Sequence, residues 1–183
     1  MYEGNNPIAL QSRTWMVNAL IALMEERQYQ KITIMDICKK ADLSRQTFYN
    51  IYSEKDDVLR YYFRNLFREE PYNLELRGRL KLSDITDLFS KFLVEQDTLL
   101  KLMVKNNLEG IIFEEMSASV STCTTGATPC NQYATHKYGN AFFTGALTQT
   151  LICWFKDPER ITSEELSELL YKILTGNYYE ICK

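Results

Sequence analysis

Glycine and proline are scarce, with 7 and 4 among 183 residues, which excludes collagen-like and low-complexity chains and favours helix over strand. Histidine occurs once, at His136, so a His-rich metal centre is excluded and a Ser/His/Asp triad would have to pass through that residue. The neighbours of His136 from Tyr133 to Tyr138 include no cysteine or carboxylate at ligand spacing. A Gly-rich phosphate loop is also missing. The adjacent carboxylates Glu114 with Glu115 and Glu164 with Glu165 read as solvated faces and helix-start charges. No catalytic residue, cofactor or metal site is therefore expected.

Long apolar runs are missing too. The stretch from Met16 to Met24 is interrupted well short of the roughly 20 residues that cross a bilayer. The first ten residues, MYEGNNPIAL, lack a basic region followed by an apolar core, and the five cysteines (Cys38, Cys123, Cys130, Cys153 and Cys182) show no repeated spacing. These features predict a reduced, cytoplasmic protein with free thiols and no membrane segment. Charge of one sign is not abundant: 21 basic residues face 24 acidic ones, a net −3. That total argues against a nucleic-acid partner. It is an average, however. Residues 1–68 hold ten basic and eight acidic side chains, and residues 69–183 hold eleven and sixteen, so the acidic excess belongs to the second part.

What is present is helical patterning. In residues 12–27, Trp15, Ala19, Leu20, Leu23 and Met24 recur at steps of three and four, one apolar stripe of a helix. Thr33 with Asp36 forms a capping box before a short second helix, and Ser44 is a suitable N-cap for another over residues 45–52. Asp42 falls at the turn between them. Two short helices joined in this way suggest a helix-turn-helix. Ser53 with Asp56 predicts a further capping box, opening a fourth helix with Val58, Leu59, Tyr62, Phe63, Leu66 and Phe67 on its apolar side and Pro71 near its end. Helical spacing returns at Ile85 to Leu93, over residues 99–108 and over residues 111–116. The Ser/Thr-rich residues 117–131 predict a loop or a helix end. Two long helices close the chain, one over residues 132–155 and one behind a Thr162/Glu165 box.

The third helix has two chemically different sides. Phe48 with Ile51 or Tyr52 can face inward, whereas Arg45, Gln46, Thr47, Tyr49 and Asn50 face outward. Arginine suits guanine, Gln and Asn suit adenine, and a Thr methyl can touch thymine. Base reading is expected chiefly from Arg45, Gln46 and Thr47. Thr33 and Ser44 at helix starts, the Tyr49 hydroxyl and Lys55 are candidate phosphate contacts. Read one by one, each of these capping boxes is better explained by a plain helical bundle. The combined spacing is more specific.

Thr33, Ile37, Ala41-Asp42-Leu43-Ser44, Thr47-Phe48-Tyr49, Tyr52 and Lys55 closely resemble the helix-turn-helix signature of the tetracycline-repressor (TetR) family, over residues 12–68. Three positions depart from its pattern. Asp42 replaces the turn glycine, Tyr52 replaces a phenylalanine, and Glu54 stands before Lys55 where a cap is usual. The resemblance implies an all-α chain of about nine helices: a helix-turn-helix domain over 1–53, a connecting helix over 54–70 and a helical effector-binding and dimerisation domain over 71–183.

It also implies double-stranded operator DNA and a small-molecule effector as partners, a homodimer, and repression relieved by the effector. An apolar pocket is expected among Phe63, Phe67, Phe89, Phe92, Met103, Phe113 and Met116, with His136 as a possible sensing residue. The dimer contact is expected from Phe142, Phe143, Leu147, Leu151 and Trp154 together with Leu166, Leu170 and Ile173. A rival expectation is a helix-turn-helix protein turned protein-interaction adaptor, which Asp42 and the small basic surplus would suit.

Overall fold

The computed structural model describes residues 7–67, 81–125 and 133–177, with the side chains of residues 7–8, 121–125 and 133–136 left aside. Pro71, Cys130 and Cys182 lie outside the described residues, as do the side chains of Cys123 and His136. Every regular element among the described residues is helical, and the all-α architecture expected from the sequence is the one observed.

Helix α1 (Pro7–Glu26) starts earlier than its apolar stripe suggests; proline is well suited to a first helical turn, where its missing N–H costs nothing. Met16, Val17, Ala19, Leu20, Leu23 and Met24 are buried. Trp15, expected on that stripe, is 45% exposed, because one residue turns the helix by about 100° and carries it off the buried line. A 3₁₀ turn at Tyr29–Lys31 leads into α2 (Ile34–Lys40) and α3 (Arg45–Ile51). Helices this short are not stable alone. Their ends are capped and their inner sides are buried. The Asp36 N–H donates to the Thr33 hydroxyl while the Thr33 N–H donates to the Asp36 carboxylate, and the Thr47 N–H donates to the Ser44 hydroxyl. Ile37, Cys38, Phe48, Ile51 and Tyr52 pack into the core with α1.

Helix α4 (Asp56–Leu66) opens differently from the expected Ser53/Asp56 box. Asp57 accepts from the Ser53 and Glu54 N–H groups at 2.8 and 3.1 Å, and Asp56 instead accepts from the Tyr29 hydroxyl. One residue of helical rotation puts Asp57 over the incoming backbone and Asp56 over the 3₁₀ turn.

The remaining helices are α5 (Leu82–Glu95), α6 (Asp97–Lys105), α7 (Glu109–Thr125), α8 (Tyr133–Lys156) and α9 (Ser163–Leu174). Helix α7 continues through the Ser/Thr-rich stretch to Thr125, past the end expected at residue 116. The Thr162/Glu165 box forms as expected. Helix α5 lies along α9, α7 along α8, and α4 packs on α7. Among the described residues, no helix is long and apolar enough to cross a membrane, and no cluster of His, Cys, Asp or Glu could hold a metal.

The Thr33 hydrogen bonds, assisted by Arg27, hold the Asp36 carboxyl below the usual carboxylate range. Since the folded carboxyl keeps its charge to lower pH than the unfolded one, its contribution to stability is complete above the ordinary Asp pKa of about 3.9 and is lost as pH falls through the lower folded value. Thermal melts should show wild type more stable than Asp36→Asn at neutral pH, with the difference closing as pH falls below about 4.

Candidate nucleic-acid interface and apolar cavity

The outer side of α3 follows from the burial of its inner side. Phe48 and Ile51 are 0% and 4% exposed, which leaves Arg45, Gln46, Tyr49 and Asn50 exposed. The Tyr49 ring stands edge-on against Phe48 with centroids 5.7 Å apart, and the Arg45 guanidinium lies 5.9 Å from the Tyr49 ring centre. These contacts pre-orient a phenol and a guanidinium side by side. Thr47 is half-buried, and its hydroxyl shares a hydrogen bond with Ser44 at 2.8 Å. Asp42 adopts the left-handed backbone its turn requires, with φ 53°, a conformation Asp tolerates better than most residues. Its side chain is exposed, three residues before α3 begins.

Lys55 is placed differently from the expected phosphate contact. Its ammonium donates to the carbonyls of Tyr29 at 2.8 Å and Ile32 at 3.1 Å and sits 4.1 Å from the Tyr29 ring centre. Burial lowers its pKa. Two of its protons thus fasten the start of α4 to the turn before α2, adding a second donor to the Tyr29 carbonyl, which also accepts from the Ile32 N–H at 3.0 Å. Thr33 spends its hydroxyl on Asp36. Thr33, Ser44, Arg45, Gln46, Tyr49 and Asn50 otherwise lie along α3 and the start of α2, on the surface of this domain.

A cavity of about 210 Å³ lies between α4, α5, α7 and α8, lined by Phe67, Ile85, Leu88, Phe89, Phe92 and Met116 with Ser119, Val120, Phe143 and Leu147. Phe67 and Phe92, expected at a pocket, line it with centroids 5.6 Å apart. Phe63 and Met103 do not; both are fully buried core residues. Phe113 is 39% exposed, because Ile112 and Met116 occupy the inner line of α7 and residue 113 is rotated away from it. Ile85, Leu88, Ser119 and Val120 line the cavity as well, beyond the expected residues. The helical stripe of α5 was legible, but spacing does not reveal which part of a stripe faces a void.

The expected dimer residues divide. Leu151, Trp154, Leu166 and Leu170 belong to the core of the subunit. The Trp154 indole N–H donates to the Ile161 carbonyl at 2.7 Å under the Arg160 guanidinium, and α9 turns its leucines toward α5. Phe143 and Leu147 face the cavity. Phe142 and Ile173 are 66% and 43% exposed, alongside Tyr138 and Tyr171.

No protein-family model matches the chain. A 47-residue stretch is 38% identical to the HTH-type dhaKLM operon transcriptional activator DhaS of Lactococcus lactis, covering 26% of this chain and 25% of that protein. The protein Lin0861 from Listeria innocua superposes with TM-score 0.74 at 16% identity, over 96% of both chains. A TetR transcriptional regulator from Streptococcus agalactiae superposes with TM-score 0.61 at 19% identity, over 92% of this chain and 96% of that one. A solved structure of the dihydroxyacetone kinase operon activator DhaS gives 0.53 at 18%, over 93% and 96%.

The chain has the TetR fold. Within this fold the phenylalanine-to-tyrosine departure at Tyr52 has a local consequence. Tyr52 is 1% exposed, packed on Phe48 and Tyr61, and its hydroxyl has no hydrogen-bond partner among the described residues. Removing an unpaired buried hydroxyl removes its desolvation cost. Tyr52→Phe should stabilise the fold by about 1 kcal/mol, read in urea unfolding as a higher midpoint with an unchanged m-value.

Proposed function

We propose that the chain is a sequence-specific DNA-binding transcriptional regulator. It would work as a homodimer whose DNA affinity is set by a small apolar or aromatic effector in the partly open cavity between α4, α5, α7 and α8. The observation that carries this reading is the exposed row Arg45, Gln46, Tyr49 and Asn50 on a helix whose opposite side is buried. Guanidinium and carboxamide groups in a row are what base edges in a major groove bind. Residues 1–53 would read DNA, residues 54–70 would connect, and residues 71–183 would sense and dimerise. The TetR fold and the regulators that share it support this division.

The two-fold contact would use the exposed residues of α8 and α9, Phe142 and Ile173 with Tyr138 and Tyr171, so that two α3 helices reach half-sites about one turn of DNA apart. Occupying an operator most simply represses, and an effector favouring the geometry that does not fit DNA would release it by its differential affinity for the two states. Activation is the second reading, because the relative with 38% identity and one solved neighbour are both described as operon activators.

The test is selection of duplexes from a random pool followed by binding measurements. Arg45→Ala should lose about 1–3 kcal/mol toward the selected sequence and relax preference at one base pair. Tyr49→Phe should weaken binding evenly across sequences. Failure of the wild type to enrich any sequence would sink the reading and leave the adaptor alternative. Separately, Phe142→Glu should shift sedimentation from dimer toward monomer while the melting transition stays cooperative.

A further inference from the structure

Trp15 and Asp42 are used neither by the core nor by the outer side of α3. Trp15 is 45% exposed on α1, and a single exposed aromatic is ordinary by itself. Its surroundings are not. Trp15, Asn18 and Ala19 of α1 line one open groove of about 460 Å³ together with Lys40, Ala41 and Asp42 at the end of α2. Among the described residues no cation lies over the Trp15 ring, and the Asp42 carboxylate has neither a hydrogen bond nor an ion pair. Lys40, the cation of this groove, is engaged by Glu26 instead, so the Asp42 charge is left uncompensated. The carbonyls of Lys40 and Ala41 accept from no backbone N–H among the described residues, and the C-terminal end of a helix adds a partial negative charge.

The same chain shows what a tryptophan and an aspartate hold between them. The Arg160 guanidinium lies 4.0 Å from the centre of the Trp154 ring and donates to Asp97 at 2.8 Å. Trp154 stands on α8 and Asp97 on α6, and the arginine joins them. In the groove the ring stands on α1 and the carboxylate on the turn after α2. This pair suits a guanidinium better than an ammonium, because the flat face stacks on an indole while the edge gives two parallel N–H bonds to a carboxylate. A phosphate would be repelled by Asp42.

The described arginines of the chain have other contacts. Arg27, Arg60, Arg64 and Arg160 are paired with carboxylates. Arg13 is buried against Tyr61, and Arg45 rests against Tyr49. That favours a donor from another protein over a second copy of this chain.

We propose that the groove between α1 and the end of α2 docks an arginine-bearing segment of a partner protein, its guanidinium stacked on Trp15 and paired with Asp42. The site shares no residue with the outer side of α3 or with the apolar cavity. It stands whether or not the chain reads DNA.

The test follows the full-length chain by nuclear magnetic resonance, with acetyl-Gly-Arg-Gly-amide as probe and the lysine and citrulline versions of that peptide beside it. The arginine peptide should shift the Trp15 indole N–H and the Asn18 and Ala41 amides in a saturable way. The Trp154 indole, already covered by Arg160, should stay in place. The lysine peptide should bind more weakly, and the uncharged citrulline peptide about tenfold more weakly. Asp42→Asn keeps a residue that tolerates a left-handed turn and should weaken the arginine peptide about fivefold. Trp15→Leu, read at the Asn18 amide, should weaken it about threefold. Both replaced side chains are exposed, so neither variant puts the fold at risk.

The proposal is overturned if the arginine and citrulline peptides bind alike, if Asp42→Asn binds as wild type does, or if the shifted resonances belong to α3 or the cavity. A change in the sedimentation of the peptide-free chain in either variant would overturn the choice of occupant, because a second copy then covers the groove. Failure to select any duplex would leave the docking site untouched and fail only the regulator reading.

Discussion

A 3₁₀ turn leaves backbone groups unpaired, and one buried between helices costs several kcal/mol unless each group finds a partner. The turn at Tyr29–Lys31 meets that demand by taking a carboxylate and an ammonium from the start of α4 and an amide oxygen from the end of α6. This joint adds to the packing of α1 on α4 and α6 in seating the first three helices on the rest of the chain. It also draws the half-buried Lys55 toward two carbonyls. Burial and the Asp56 hydrogen bond both push the Tyr29 hydroxyl to a raised pKa.

The same need for partners shapes the outer side of α3. Helices α2 and α3 have seven residues each, too few to persist without tertiary support. Phe48, Ile51 and Tyr52 supply that support from one side of α3, and the other side is left to polar groups with no structural duty. Asp42 keeps the turn tight at φ 53°, and its carboxylate adds a negative charge beside a surface whose basic surplus is small. If it reads DNA as proposed, such a surface would have little non-specific electrostatic attraction to draw on. Discrimination would then rest on the few groups that reach base edges. The acidic excess sits in the second part of the chain, where it supplies Glu114 and Glu115 to the arginines of α4.

Much of this was legible in the sequence. The helix count, the Thr33/Asp36 and Thr162/Glu165 boxes, the inward Phe48 and the left-handed Asp42 follow from short-range rules, since each depends on residues within about one helical turn. Those rules reached their limit at α4, where Asp56 and Asp57 are equally plausible caps until the location of Tyr29 is known. They also failed for Trp15, because a stripe defined by spacing tolerates an error of one residue that a buried face does not.

The sequence by itself determined an all-helical chain with a helix-turn-helix near its start, a polar outer side on α3 and an acidic second part. Only the tertiary structure decided which apolar side chains became core, cavity or exposed surface. Leu151 and Trp154 went inward, Phe143 and Leu147 to the cavity, and Phe142 outward, although all five sit on one helix with similar hydrophobicity. The reason is geometric. Helical periodicity fixes which residues share a side, but the neighbour that meets that side is supplied by chain segments tens of residues away, and so is the partner of each buried polar group.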